Sequence, residues 1–273
     1  MTVGQFTTHD LDIRDDIVIK RYTSWHRREP QREWAVLTFL AEHAPGLAPA
    51  PVRAELDAVP PTVVMTRLPG SPLRGRQAGR EQIAALAAAL TRLHRDIPVR
   101  AVNTIPPAAW GPGAAVAKVR RRAGERPDLG DDPRVVEAVA QGVAWLATSA
   151  PDRLATDPLP PVLGLADGNH ANYLWDPASG QVRMVDWEDS GRSDRAFEVA
   201  EVVEHISHLD GGFAGDALLS QLDLTGVEVR VRDFRRLLAL GWLLILGPGG
   251  PCARRNPPGA LERQAEHVLA LLG

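Results

Sequence analysis

Between Leu163 and Trp187 the chain reads LGLADGNHANYLWDPASGQVRMVDW, and three of its side chains, Asp167, Asn172 and Asp186, have the types and spacing for chemistry on a phosphate. An amide and a carboxylate that leave room for water and phosphate oxygens form a hard donor set, which suits magnesium. Asp167 is then free to orient an attacking hydroxyl and accept its proton. Tyr173 to Asp176 is rich in strand formers, Pro177-Ala178-Ser179-Gly180 supplies turn residues, and Gln181 to Val185 alternates again. The pattern predicts a β-hairpin centred near Ser179. Antiparallel pairing about that centre sets Asn172 across from Asp186 at the open end. Asp167, five residues upstream beside Gly168, folds back over the same end. Each of the three, taken singly, also reads as an ordinary turn former.

The elements that must hold this hairpin are legible on both sides. Ile17 to Tyr22 is a strand signal with Lys20 in its middle, preceded by a shorter run, Thr7 to Ile13. Only Lys20 and Lys118 among the 31 basic residues are lysine; a lysine kept inside a strand points to a need for a compact point charge rather than a planar fork. Gln31 to His43 predicts a helix with Trp34, Leu37, Leu40 and Ala41 on one face and Glu33 at its edge, within reach of Lys20. The alternative is a surface lysine and an acid that favours the helix dipole. Residues 44–61 read as loop with an extended piece, Pro51 to Leu56. A strand, Thr62 to Leu68, then runs into Pro69-Gly70, a turn pair and lobe boundary. Ile83, Leu86, Leu90 and Leu93 recur at helical spacing up to His94 and the Pro98 stop. Residues 97–113 form a long loop bordering a substrate cleft, and Val135, Val139, Val143 and Leu146 mark a helix ended by Pro151. Arg195 to Leu209 is amphipathic, with Val199, Val202, Val203 and Ile206 inward. Its other face, Glu198, Glu201, His205 and His208, is either a solvated face or an acidic cleft floor that attracts cations. Helices around Trp242 and over Leu261 to Leu272 close the chain.

At 273 residues, 44% hydrophobic and 24% charged, the chain has an ordinary globular composition with enough apolar residues for one large core or two lobes. A net charge of −3 argues against nucleic-acid binding, and the short helical patch Lys118 to Arg122 reads as a solvated face. The longest apolar run, Leu237 to Leu246, is about half the roughly 20 residues a membrane-spanning helix needs. One cysteine, Cys252, allows no internal disulfide, and with no leader pattern the expected location is cytoplasmic.

Asp167 with four residues before Asn172, then Val185-Asp186-Trp187-Glu188, Gly191, Asp194 and Glu198-Val199-Ala200, resembles the aminoglycoside phosphotransferase and choline kinase family of kinase-like enzymes. The resemblance implies an α+β, two-lobed protein-kinase-like fold, with a β-rich nucleotide-binding lobe over residues 1–68 and a mainly helical lobe over 69–273. It makes Asp167 the catalytic base, Asn172 and Asp186 the metal ligands, and Asp194 a structural acid. It also makes Lys20 and Glu33 the ion pair that holds nucleotide phosphates, the backbone of Met65 to Leu68 a hinge that reads a purine edge, and Gly4 to Thr8 a phosphate cover. The implied cofactors are Mg2+ and ATP or GTP. The implied partner is a small-molecule hydroxyl acceptor, an antibiotic first and a small metabolite second. Three positions depart from the family pattern: Leu165 stands where a His is usual, Ala166 where a Gly is, and Asn169 where a His or Lys is. Leu165, Asn169 and the thin N-terminal loop motivate another class, a nucleotide-binding module without transfer activity. A third, a two-metal phosphoesterase built on Gly168-Asn169-His170 with His205 and His208, lacks upstream Asp and His ligands.

Overall fold

A computed structural model describes residues 8–210, 213–248, 250 and 256–273. The expected phosphate cover, Gly4 to Thr8, and Cys252 lie outside the described residues, except Thr8. Strands β1 (Asp10–Ile13) and β2 (Ile17–Arg21) form a hairpin, and helix α1 (Glu29–His43) follows. With β3 (Pro51–Glu55) and β4 (Thr62–Thr66) they complete an antiparallel sheet in the order β1-β2-β4-β3. Lys20 pairs with Val63 across β2 and β4. The α1 helix starts two residues earlier than its periodicity suggests because Pro30 occupies its first turn, where a missing N–H costs nothing. It buries Glu33 together with Val36, Leu37, Phe39 and Leu40, whereas Ala41 is exposed and Trp34 half-buried.

The chain leaves this sheet through Pro69-Gly70 and joins the predicted hairpin at once. Strand β5 (Ser71–Pro72) lies in a separate three-stranded sheet beside β7 (Tyr173–Asp176), which pairs in turn with β8 (Gln181–Met184). Gly70, at φ +114, sits so close to Trp175 that a Cβ would lie 2.6 Å from its carbonyl oxygen, which explains a glycine there. Helix α2 (Arg80–Thr91) continues through a wider turn to Asp96. Then come α3 (Val99–Val102), α4 (Pro112–Glu125), α5 (Pro133–Leu146) and α6 (Ala150–Thr156). The Asp132 carboxylate caps α5 by accepting from the amides of Arg134 and Val135 at 2.8 and 3.2 Å. Pro151 does not end that helix as expected; it lies in the first turn of α6, after α5 has stopped at Leu146.

Strand β6 (Val162–Gly164) pairs with β9 (Gly191–Ser193), bracketing the hairpin. Helices α7 (Arg195–Glu204), α8 (Gly215–Leu219), α9 (Glu228–Leu243) and α10 (Ala260–Leu272) pack behind it. Phe197, Phe234, Leu237, Leu240, Leu243 and Val268 are buried there. No helix among the described residues is long and apolar enough to cross a membrane.

Candidate active site

The hairpin delivers Asn172 and Asp186 to one end, with a correction to the register. Asp176 pairs with Gln181 across a four-residue turn, so the centre falls between Ala178 and Ser179 and Asn172 faces Val185 rather than Asp186. The Val185 amide donates to the Asn172 carbonyl at 3.0 Å. Asp186 follows at φ 68, a left-handed conformation that Asp tolerates better than most residues.

Asp186 meets Lys20 across the molecule. Lys20 Nζ lies 2.8 Å from Glu33 Oε2, 2.5 Å from Asp186 Oδ1 and 2.7 Å from Glu188 Oε2. Burial disfavours the ammonium, but Asp186 and Glu33 outweigh it and hold the Lys20 pKa well above its ordinary value. Glu33 also accepts from the Trp187 amide at 3.2 Å and from the Tyr22 hydroxyl, so α1 is tied to the residue that follows Asp186 and to the end of β2. Sequence reasoning missed Glu188 as a third partner and His9, whose Nε2 is 2.9 Å from Glu188 Oε2. The Asp186-x-Glu188 spacing was the signal for the first; His9 carries none.

Asp167 accepts from the Asn169 amide at 3.0 Å and from Asn172 Nδ2 at 2.9 Å. Burial and the Asp186 charge move its pKa upward, opposed by those two hydrogen bonds. Its side chain is nonetheless 35% exposed, so it remains a carboxylate at neutral pH, as a proton acceptor must. Asn172 commits its amide hydrogens to Asp167, and Asp186 commits Oδ1 to Lys20. Asn172 Oδ1 and Asp186 Oδ2 therefore remain as hard oxygen donors on adjacent hairpin ends, a set that fits magnesium. Carboxylate oxygens of Glu33, Asp186 and Glu188 also lie within 4.8 Å of one another.

The polar face of α7 is not solvated, and Glu201 and His205 from it line the cleft beside Asp167. Glu198 and Glu201 are buried against the catalytic loop. Glu198 accepts from the Ala166 amide at 3.1 Å and from Ser193 Oγ at 2.5 Å. It braces the loop beside Leu165, which sits in the apolar core at 2% exposure. Ala166 adopts φ 59, the left-handed region in which glycine is the easier residue. Gly168 packs against the backbone of Glu201, with no space for a side chain. Glu201 accepts from Trp110 Nε1 at 2.6 Å. Burial pushes Glu198 up to about 7 and Glu201 up to about 8, against their hydrogen bonds. His205, 3.7 Å from Asp167, is held well below its ordinary value by burial and stays neutral. His170, central to the phosphoesterase alternative, turns away from the site, with Nε2 2.8 Å from the Val202 carbonyl and its ring against Phe213.

Both acids hold their protons more tightly in the folded than in the unfolded chain. Their contribution to stability is complete below the ordinary value of 4.5 and is lost as pH rises through about 7 and 8. We expect unfolding free energy to fall by on the order of 2–3 kcal/mol from pH 5.5 to 8.5 through Glu201 alone, each pKa unit corresponding to about 1.4 kcal/mol. Urea titrations of the parent and Glu201→Gln at both pH values test this, and parallel pH dependences in the two proteins would contradict it.

Met65 lies in the middle of its sheet, between Val18 and Pro51, with its side chain in the core. The Thr66 and Arg67 amides donate to the carbonyls of Ala50 and Asp16 at 2.9 and 2.8 Å. No backbone hydrogen bond of the Leu68 amide occurs among the described residues. Asp194 caps α7 through the amides of Ala196 and Phe197 and pairs with Arg230 at 2.8 Å, the anchoring part expected of it.

A strand lysine paired with a helix glutamate stands beside the loop ahead of an acid-bearing hairpin, in a fold that is kinase-like. The chain belongs to the phosphotransferase enzyme family, whose family model matches residues 6–238. Solved structures agree on the fold. The choline kinase LicA from Streptococcus pneumoniae is similar at TM-score 0.61 and 13% identity, covering 99% of this chain and 91% of its own. Spectinomycin phosphotransferase APH(9)-Ia, solved with ADP and spectinomycin, is similar at TM-score 0.63 and 12% identity, covering 99% and 92%. Aminoglycoside phosphotransferase APH(3'')-Id from Streptomyces rimosus is similar at TM-score 0.55 and 16% identity, covering 83% and 86%. No curated protein matches the sequence. Family and fold together support a small-molecule kinase.

Proposed function

We propose that this chain moves the terminal phosphoryl group of ATP or GTP, with magnesium, onto a hydroxyl of a small molecule, an antibiotic first and a small metabolite second. The supporting observation is the Lys20 ammonium joining Glu33 to Asp186, with Asp167 and Asn172 hydrogen-bonded beside them. In this proposal Lys20, steadied by Glu33, binds nucleotide phosphates, and Asn172 and Asp186 hold the metal. Magnesium, when bound, neutralises charge on the phosphates. Asp167 orients the acceptor hydroxyl and takes its proton as a bond forms from that oxygen to the terminal phosphorus and the bond to the nucleoside diphosphate breaks. The nucleotide lobe spans residues 1–68 and the acceptor lobe 69–273, in the cytoplasm. Of the hinge residues Met65 to Leu68, Leu68 supplies the amide that reads the purine, since its two predecessors are committed within the sheet.

We expect millimolar ATP or GTP with magnesium to raise the melting temperature, since a ligand at 100 times its Kd adds about 2.7 kcal/mol to native stability. Absence of any shift with both nucleotides would sink the proposal. Nucleoside diphosphate released only with an acceptor, together with acceptor mass gain, separates transfer from the alternative of nucleotide binding without transfer.

A further inference from the structure

A cleft of about 380 Å³ opens beside Asp167, walled by Trp110, Trp242, Leu238 and Ile245 and bordered by Arg27, Lys118 and Arg122. The volume suits a molecule of one or two rings, at the small end of the roughly 300–1,000 Å³ typical of ligand pockets. Its indole and aliphatic side chains would take an apolar ring.

The charges around it bear on the sign of the guest. Of the cleft's acids, Asp189 is paired with Arg27 at 2.8 Å. Glu201 is hydrogen-bonded to Trp110, and at about 8 its carboxyl is largely protonated at neutral pH. Asp167 has the acceptor hydroxyl to receive, and His205 is neutral. Asp189 and Glu201 are thus already engaged by partners within the protein. The cations are placed differently. Lys118 Nζ stands 4.5 Å from the centre of the Trp110 ring. Among the described residues no carboxylate lies within ion-pair distance, 4.0 Å, of it. Burial and the neighbouring Arg122 charge, one turn further along α4, disfavour its ammonium form and outweigh the opposing pull of Glu201. An anion beside Lys118 would relieve both effects, whereas a second cation would add to them.

Resting on the phosphotransferase reading above, we propose that the acceptor is an anionic, hydroxylated molecule with a flat apolar body, its anionic group against Lys118 and its hydroxyl at Asp167. A polycationic sugar does not fit this cleft. Lys118, which the sequence suggested was part of a solvated face, becomes the residue that selects the acceptor by charge. The sequence signal was present in its rarity: one of two lysines in a chain that otherwise uses arginine.

The test uses the full chain saturated with ADP and magnesium, and hydroxymethyl naphthalenes that carry either a carboxylate or an aminomethyl group, with neomycin as polycation. Thermal shift and isothermal titration should show binding of the carboxylates and none of the amines or neomycin. Lys118→Met, which keeps the aliphatic stem on Trp110, should weaken carboxylate binding about tenfold, and Lys118→Glu should reverse the charge preference. With ATP, the carboxylates should gain a phosphoryl group. The nucleotide-induced shift, measured on each variant, reports that its fold is intact. The inference is overturned if amines or neomycin bind in preference, if both variants bind the carboxylates like the parent, or if no probe binds a protein that nucleotide stabilises. Loss of the nucleotide shift in the parent protein would overturn the underlying phosphotransferase reading instead.

Discussion

Asp167→Asn should bind nucleotide with near-parental affinity and transfer phosphate roughly 10²–10⁴-fold more slowly, the range over which general bases contribute. The substitution keeps the shape of a side chain that accepts from the Asn169 amide and from Asn172, and an amide carbonyl can keep one of those bonds. Only the capacity to take a proton disappears. Lys20, Glu33 and Asp186 do not depend on Asp167 for hydrogen bonds, so nucleotide binding should survive. Calorimetry for nucleotide and a product assay for transfer, on the same preparation, check both halves.

Asp186 should behave in the opposite way. Asp186→Ala removes a negative ligand, so magnesium-dependent nucleotide binding and transfer should fall together, turnover by more than roughly 10²-fold if charge stabilisation of the usual size is lost. Lys20 keeps Glu33 and Glu188, so the substitution orphans no buried charge. Alanine at φ 68 adds strain of about 1–2 kcal/mol; Asp186→Asn, which adopts that conformation more readily, separates strain from charge. If Asp186→Asn keeps magnesium-dependent nucleotide binding while Asp167→Asn loses it, the two roles are reversed.

What the sequence carried was local. Tyr173 to Gln181 announced a hairpin because turn residues interrupt alternating apolar positions, and Lys20 stood out because its strand is otherwise apolar apart from its edge. Helix periodicity placed α1 and α7 within a few residues. Side-chain direction on α7 was not local. Glu198 and Glu201 look solvent-facing because they lie opposite Val199, Val202 and Val203, but a second layer covers them: β6 and the loop after it, where Gly164 leaves room for the Glu198 carboxyl and Gly168 for the backbone of Glu201. Strands β5 and β9, of two and three residues, are too short to show a period and exist because longer partners hold them. The register error of one residue came from the turn, whose even length moved the hairpin's centre by half a residue.

The attachment of β5 to the catalytic hairpin has a mechanical meaning. Arg67 is fastened to the first sheet through its amide bond to Asp16, while Ser71 and Pro72 pair with Trp175 and Leu174 and the Leu73 amide donates to the Tyr173 carbonyl at 2.9 Å. Between these two fixed points run only Leu68, Pro69 and Gly70, so Arg67 and Ser71 are at most about 14 Å apart even when fully extended. A tether this short cannot let one half slide away from the other; it permits a tilt about a nearly fixed fulcrum. The two halves are also joined where Arg27 holds Asp189 at 2.8 Å and Arg32 donates to the carbonyls of Pro107 and Ser190 at 2.7 and 3.0 Å. Separating the two halves therefore means breaking those contacts of Arg27 and Arg32 as well.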